Sequence, residues 1–274
     1  VTCQVARRAA CAAGLACLPL CGAGCGGGLP LLHPARVLPR GEVQAAGGFS
    51  GTIAPGALGS AVENAANEAA ANPGTVPTDT TFARGALVAA SVAPGLAPFV
   101  GARVGLGVQS EAGLAYTGRA ARADVRHAFD LSDAWTLSVG VGGSGALNDH
   151  GSAQVLPNVA LNDLTGWGAD VPVLLGYSSE GDLYSFWFGP RAGWEHVSIR
   201  LASSETPLGA QPISLSATRF WGGAVVGAAV GFRHVHVAVE LDASYANITG
   251  EYGGTNAQVS GVSLAPSTAL WWHF

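Results

Sequence analysis

The stretch Val237-Ala238-Val239-Glu240-Leu241-Asp242-Ala243-Ser244-Tyr245 decides the fold. Side chains of a strand point alternately to its two faces. As a strand, this segment puts Val237, Val239, Leu241, Ala243 and Tyr245 on one face, and Ala238, Glu240, Asp242 and Ser244 on the other. A helix would scatter both sets around its circumference. The same two-residue period recurs over 99–108, where Val100, Ala102, Val104, Leu106 and Val108 oppose Gly101, Arg103, Gly105 and Gly107. It recurs over 122–131, where Val125, His127, Phe129 and Leu131 oppose Arg122, Asp124, Arg126 and Asp130, and over 135–144. One face is apolar, and the other carries charge or glycine.

Further strand candidates lie at 42–50, 82–91, 111–118, 170–178, 183–201, 219–232 and 262–274, making eleven. The pattern over 82–91 is the weakest. Residues 57–71 break the period: Leu58, Val62, Ala65, Ala66 and Ala69 have helical spacing, which predicts a short helix in an early loop. Connections alternate in length. They are short at Ser132-Asp133, Glu180-Gly181 and Arg233-His234, and long and polar near Asp149, Ser204 and Gly253. Short turns at one end and long loops at the other are the plan of a transmembrane β-barrel. Such barrels close on an even number of strands, so the reading is an all-β, antiparallel, up-and-down barrel of about ten strands, with about eight to twelve allowed.

Composition agrees. Charged residues make up 11% of the chain and hydrophobic ones 49%, whereas a soluble domain carries about 25% charged residues. A soluble periplasmic carrier would need a more charged exterior. The net charge of −5 leaves no basic stripe for nucleic acid. The chain is too apolar and aromatic for intrinsic disorder. All 13 basic residues are arginine and methionine is absent, a bias that fits a GC-rich genome.

The N-terminal region reads as an address. Arg7-Arg8 precede an uncharged run from Ala9 to Leu32 whose compact apolar part has signal-peptide length. The expected organisation is an export signal over 1–25, a linker over 26–40 and a barrel over 41–274. The five cysteines all fall within the first 25 residues, so they build no disulfide framework, and the Cys21/Cys25 spacing lacks later partners for zinc. Neither a metal nor a cofactor is expected.

Two resemblances sharpen this. The closing Leu270-Trp271-Trp272-His273-Phe274 resembles the terminal assembly signal of bacterial outer-membrane β-barrel proteins: a final phenylalanine with apolar residues at alternate positions before it, Trp272 and Leu270. The resemblance implies Gram-negative outer-membrane localisation, insertion by the barrel assembly machinery and contact with outer-membrane lipid. Ala23-Gly24-Cys25 resembles a bacterial lipoprotein cleavage box, which makes Cys25 the lipidation candidate, although Gly22 stands where the family has leucine.

In a barrel, the charged face turns to the lumen. Arg103, Arg122, Asp124, Arg126, Arg191, Arg219, Glu240 and Asp242 are therefore the expected lumen residues, with Glu240 and Asp242 as partners for Arg122 and Arg126. Trp135, Trp167, Tyr177, Tyr184, Trp194, Phe232, Tyr245, Trp271 and Trp272 fit interface girdles. Chemistry is sparse. His150 beside Asp149 and His196 beside Glu195 are the candidate bases, and no G-x-S-x-G motif is present. The expected function is a narrow pore, a small-solute path or a structural surface protein, not an enzyme. The alternatives are a barrel lipid acyl hydrolase or protease, or a soluble periplasmic carrier.

Overall fold

The computed structural model describes residues 29–72, 77–146, 165–201 and 213–274. The export-signal region 1–25, Cys25 and His150 lie outside them. Ten strands form one closed antiparallel barrel: β1 (Val43–Thr52), β2 (Gly95–Gly107), β3 (Ser110–Tyr116), β4 (Ala120–Asp130), β5 (Trp135–Ala146), β6 (Thr165–Ser178), β7 (Tyr184–Leu201), β8 (Ile213–Phe232), β9 (Val235–Tyr252) and β10 (Thr255–His273). Each strand pairs with its sequence neighbours, and β1 closes on β10. The seam pairs Gln44 with His273 through Ser50 with Ser267. The Phe274 amide donates to the Val43 carbonyl at 2.9 Å, so hydrogen bonding runs to the final residue.

The outer wall is apolar where lipid would meet it. Val100, Leu114, Val125, Val141, Phe188, Val226, Val239 and Leu241 all project outward and are exposed. Aromatic side chains bound this band. Near the short turns, Trp135 and Tyr177 pack 5.5 Å apart, with Phe186 5.4 Å and Tyr184 6.0 Å from Tyr177. Nearer the loops, Trp167 lies 4.4 Å from Trp194, and Trp194 6.3 Å from Phe220. Tyr184 and Trp194 belong to the same strand. Ten residues at about 3.3 Å each, tilted by about 40°, span roughly 25 Å, the height of a barrel's lipid band. Trp271 departs from the girdle expectation. It points inward, 2% exposed, and stacks on Trp187 at 5.8 Å.

Beyond the upper aromatic ring, strands β7–β10 continue and their polarity reverses. Ser214, Ser216, Asn247, Thr249, Asn256 and Gln258 now face outward and are exposed. Val197, Ile199, Leu215, Ala217, Ala246, Ile248 and Tyr252 face inward and are buried. Two helices from the β1–β2 connection, α1 (Ala57–Ala71) and α2 (Thr80–Ser91), pack on this inner apolar surface through Leu58, Ala65, Ala69, Phe82, Ala86 and Leu87. The Phe82 and Tyr252 rings meet at 5.4 Å.

Residues 82–91, the weakest strand candidate, are thus helix. Their apolar residues surround the helix because it is buried nearly all round, which erases the amphipathic period. The overlooked signal is Asp79, whose carboxylate accepts from the Thr81 and Phe82 amides at 2.7 and 3.1 Å as an N-cap. The joint near Gly253 is likewise not a long loop: Gly253 and Gly254 alone turn β9 into β10, both with positive φ. Its polar residues belong to the strand extensions above lipid.

Asp79→Ala should weaken α2 by about 1 kcal/mol. The expected result is roughly fivefold faster amide exchange in α2 with barrel amides unchanged, read by hydrogen-exchange mass spectrometry in detergent.

Candidate functional site

The barrel interior is polar at membrane depth, and it is organised as one chain of charges. Arg126 pairs with Glu111 at 3.0 Å, and Glu111 pairs also with Arg103. Arg103 reaches Asp124 at 2.5 Å, and Asp124 is shared with Arg122. Arg122 holds both oxygens of Asp170, at 2.8 and 3.0 Å. Asp170 also takes Arg191 at 2.9 Å, and Arg191 ends on Asp242 at 3.1 Å. Positive and negative groups alternate along the entire path. It crosses β4, β3, β2, β6, β7 and β9, and every member is buried or nearly so.

Glycine leaves room for the guanidinium groups. A Cβ at Gly142 on β5 would lie 2.3 Å from Arg122, and one at Gly113 on β3 would lie 2.5 Å from Arg103. A side chain at either position would require the guanidinium beside it to shift.

The lumen is obstructed at both ends. From the turn end, residues 29–40, expected as a linker, run inside the barrel. The Leu31 and Leu32 amides donate to the two oxygens of Glu240 at 2.7 and 2.8 Å, and Trp187 Nε1 donates to the same carboxylate at 3.0 Å. Leu31, Leu32 and Ala35 fill an apolar pocket with Phe99, Leu174, Trp187 and Trp271. Arg126 Nη1 meets His33 Nδ1 at 2.7 Å and also donates to the Pro34 carbonyl, while Nη2 donates to the Arg36 carbonyl at 3.1 Å. Leu38 is held through its amide by Glu111 at 2.8 Å. At the rim, Arg36 reaches Asp182 at 3.1 Å and the Asp133 carbonyl at 2.6 Å.

From the loop end, the C-terminus of α2 points down the lumen. Its last carbonyls carry the negative end of the helix dipole. Arg219 donates to the Ser91 carbonyl at 2.8 Å and Arg119 to that of Ala90. Arg219 also pairs with Glu195 at 3.2 Å. Between the two obstructions is a cavity of about 100 Å³, floored by Leu29 and Pro30 and roofed by Ser91 and Val92.

The structure therefore places all eight expected lumen charges inside, but pairs them differently. Arg122 binds Asp124 and Asp170, and Arg126 binds Glu111; neither meets Glu240 or Asp242. Partners depend on the stagger between strands, which alternation within a strand does not reveal. Glu111, Asp170 and Glu195 were missed. Glu111 shares the inward parity of Gly113, a signal that was available. Asp170 stands in mid-strand because β6 starts at Thr165 rather than at the loop edge. Of the candidate bases, His196 faces outward and meets Thr218 at 3.1 Å, while the adjacent Glu195 turns inward. Leu270, Trp272 and Phe274 are exposed on the outer face beside the seam.

A closed antiparallel barrel with a lipid-facing apolar band, two aromatic rings and an ion-paired interior is the build of an outer-membrane β-barrel protein. By that plan the short turns are periplasmic and the helices extracellular. No family model matches the chain, and no curated protein matches it. Among solved structures, it is similar to Neisserial surface protein A at 11% identity and TM-score 0.33, over 85% of this chain and 96% of that one. It is also similar to the outer-membrane protease OmpT from Escherichia coli at 9% identity and TM-score 0.39, over 88% of this chain and all of that one. Neither likeness bears on what this chain does.

Asp170 joins two arginines, so Asp170→Ala leaves Arg122 with Asp124 alone and Arg191 with Asp242 alone in a buried site. Breaking one partner of such a set costs roughly 3–5 kcal/mol. Urea unfolding in lipid vesicles should show a loss of that size; a loss below 1 kcal/mol would mean that water solvates the network freely.

Proposed function

We propose that this protein is an outer-membrane barrel with a closed resting lumen, serving as a gated path for small polar solutes rather than as an open pore. The observation that carries this reading is the obstruction of the lumen by residues 29–40 from one end and by the α2 terminus from the other, with a charge-bearing cavity between them. An open pore has no use for two obstructions, and a purely structural barrel has no use for a cavity between them lined by Arg119, Arg191 and Arg219. Arg119 and Arg219, which hold the α2 carbonyls, are the latch. Outer-membrane lipid is the proposed environment and the barrel assembly machinery the proposed inserter, acting on Leu270, Trp272 and Phe274. An export signal over 1–25 and lipid on Cys25 complete the proposal.

Planar-bilayer recording tests the gate. The natural protein should show no steady conductance, and Arg119→Ala/Arg219→Ala combined with Glu240→Ala, which loosens both obstructions, should show brief openings. A large steady conductance in the natural protein would overturn the closed-lumen reading.

A second reading, a lipid-facing hydrolase, rests on one contact. Ser110 Oγ lies 2.9 Å from His127 Nδ1 on the outward face near the turn rim. An imidazole beside a hydroxyl is the start of an activated nucleophile. Against it, the Ser110 hydroxyl also donates to the Val108 carbonyl at 3.1 Å, and Phe129, not a carboxylate, packs edge-on against the His127 ring at 4.7 Å. If this reading holds, reconstituted protein releases fatty acid from phospholipid vesicles and Ser110→Ala abolishes the release.

A further inference from the structure

Residues 29–40 carry one side chain into the barrel that titrates near neutral pH, and its contacts fix its protonation state. His33 is 1% exposed, and its Nδ1 lies 2.7 Å from Arg126 Nη1. A guanidinium only donates hydrogen bonds. Nδ1 is therefore the bare, accepting nitrogen, and the ring is neutral with its one proton on Nε2. The charges that act on the ring are Arg126 and Arg122 on β4 and Arg103 on β2, all of one sign. The carboxylates around them are already engaged. Glu111 on β3 holds Arg126 and Arg103, Asp124 on β4 holds Arg103 and Arg122, and Asp170 on β6 holds Arg122 and Arg191. Glu240 on β9 is occupied by the Leu31 and Leu32 amides.

Arg126 has no room to retreat. Glu111 holds its Nε and Nη2 at 3.2 and 3.0 Å. The same guanidinium grips the segment by donating to the Pro34 and Arg36 carbonyls. A proton on Nδ1 would set one cation against another across that contact. It would also make Nδ1 a donor 3.2 Å from the Pro34 carbonyl, the oxygen that Arg126 already uses. The backbone beside the ring adds to the tension. Leu32 has a φ of 46°, in the left-handed region that a residue with a side chain seldom adopts.

We propose that His33 is an acid-sensitive latch, and that charging its ring loosens residues 29–40 from the lumen. Released into water, the ring titrates at about 6.5. Held against Arg126, it takes a proton less readily. Closure is thus fully supported above about pH 6.5 and weakens as the pH falls below it, by up to about tenfold per unit until the held ring is itself protonated. Pro34 and Arg36 line an open vestibule of about 960 Å³ at the turn end, so solution reaches the residue next to the ring. The latch deepens the gated-path reading by naming what loosens one obstruction. It rests on that reading only for the claim that a solute then passes.

Hydrogen-exchange mass spectrometry on the full-length protein in detergent reads the latch. Protection of the 29–40 amides, corrected for the intrinsic exchange rate at each pH, should fall about ten- to thirtyfold from pH 7.5 to 5, while β9 and β10 keep theirs. His33→Asn offers Arg126 an amide oxygen that takes no proton, so its fall should stay below about threefold. NMR titration of the natural protein with isotope-labelled histidine should place the His33 ring below about 6.5, His33 being the signal missing from His33→Asn. The inference is overturned by protection that ignores pH, by an equal fall in His33→Asn, by an equal loss in β9 and β10, or by a His33 ring that titrates at about 6.5 or above. The titration decides even where the variant seats the segment poorly. Conductance is recorded separately on Arg119→Ala/Arg219→Ala, with acid in place of Glu240→Ala. Brief openings should be more frequent at pH 5 than at pH 7.5; exchange that responds to pH without any openings would sink the path and leave the latch standing.

Discussion

Lipid offers no hydrogen bonds to a backbone, and the structure depends on that constraint. Each strand must have a partner on both sides, so the sheet has to close, and it closes where β1 meets β10. Closure at ten strands leaves a narrow interior. Arginines that point into it have no bulk water around them and must find carboxylates within reach. The seam, the narrow lumen and the ion pairs are thus successive consequences of one requirement.

The ion chain turns a cost into order. Taking one charge from water costs several kcal/mol even after relaxation, and pairing offsets this only with good geometry. From Arg126 to Asp242 the path sums to zero charge and gives each interior member two opposite neighbours. Its members come from six strands, so it ties their relative stagger. A slip of two residues between β6 and β7 would keep the apolar face outward yet separate Asp170 from Arg191. Alternation alone does not penalise such a slip; the pairs do. Glu240 shows the same economy on a neutral partner, using its two oxygens to seat the amides of Leu31 and Leu32.

The barrel was legible in the sequence because lipid and lumen impose opposite polarity on successive residues, as Val239 and Glu240 show. What was illegible depended on contacts between distant segments. The helix α2 was hidden because neighbours surround it, so that Phe82, Leu87 and Val88 are apolar in different directions. The turn at Gly253-Gly254 was hidden because polar Thr249 and Glu251 face water outside while Ile248 and Tyr252 face a helix inside. The eight lumen charges were legible from parity, but their partners were not, because stagger is a property of the closed sheet. Residues 29–40 read as a tether because Pro34 and Pro39 suggest extended chain. Nothing in their composition says that Glu240 and Arg126 hold them inside.

The reversal of polarity along β7–β10 has a consequence for where the protein resides. Below the ring formed by Trp167, Trp194 and Phe220, the outer wall tolerates acyl chains. Above it, Ser216, Asn247, Thr249 and Gln258 do not. The barrel has a waterline. A bilayer much thicker than about 25 Å would submerge that hydroxyl- and amide-bearing surface, and tilting, which only lowers the height of the apolar band, could not relieve the mismatch. The wall therefore selects a thin membrane by its own height, independently of any receptor that reads its terminus.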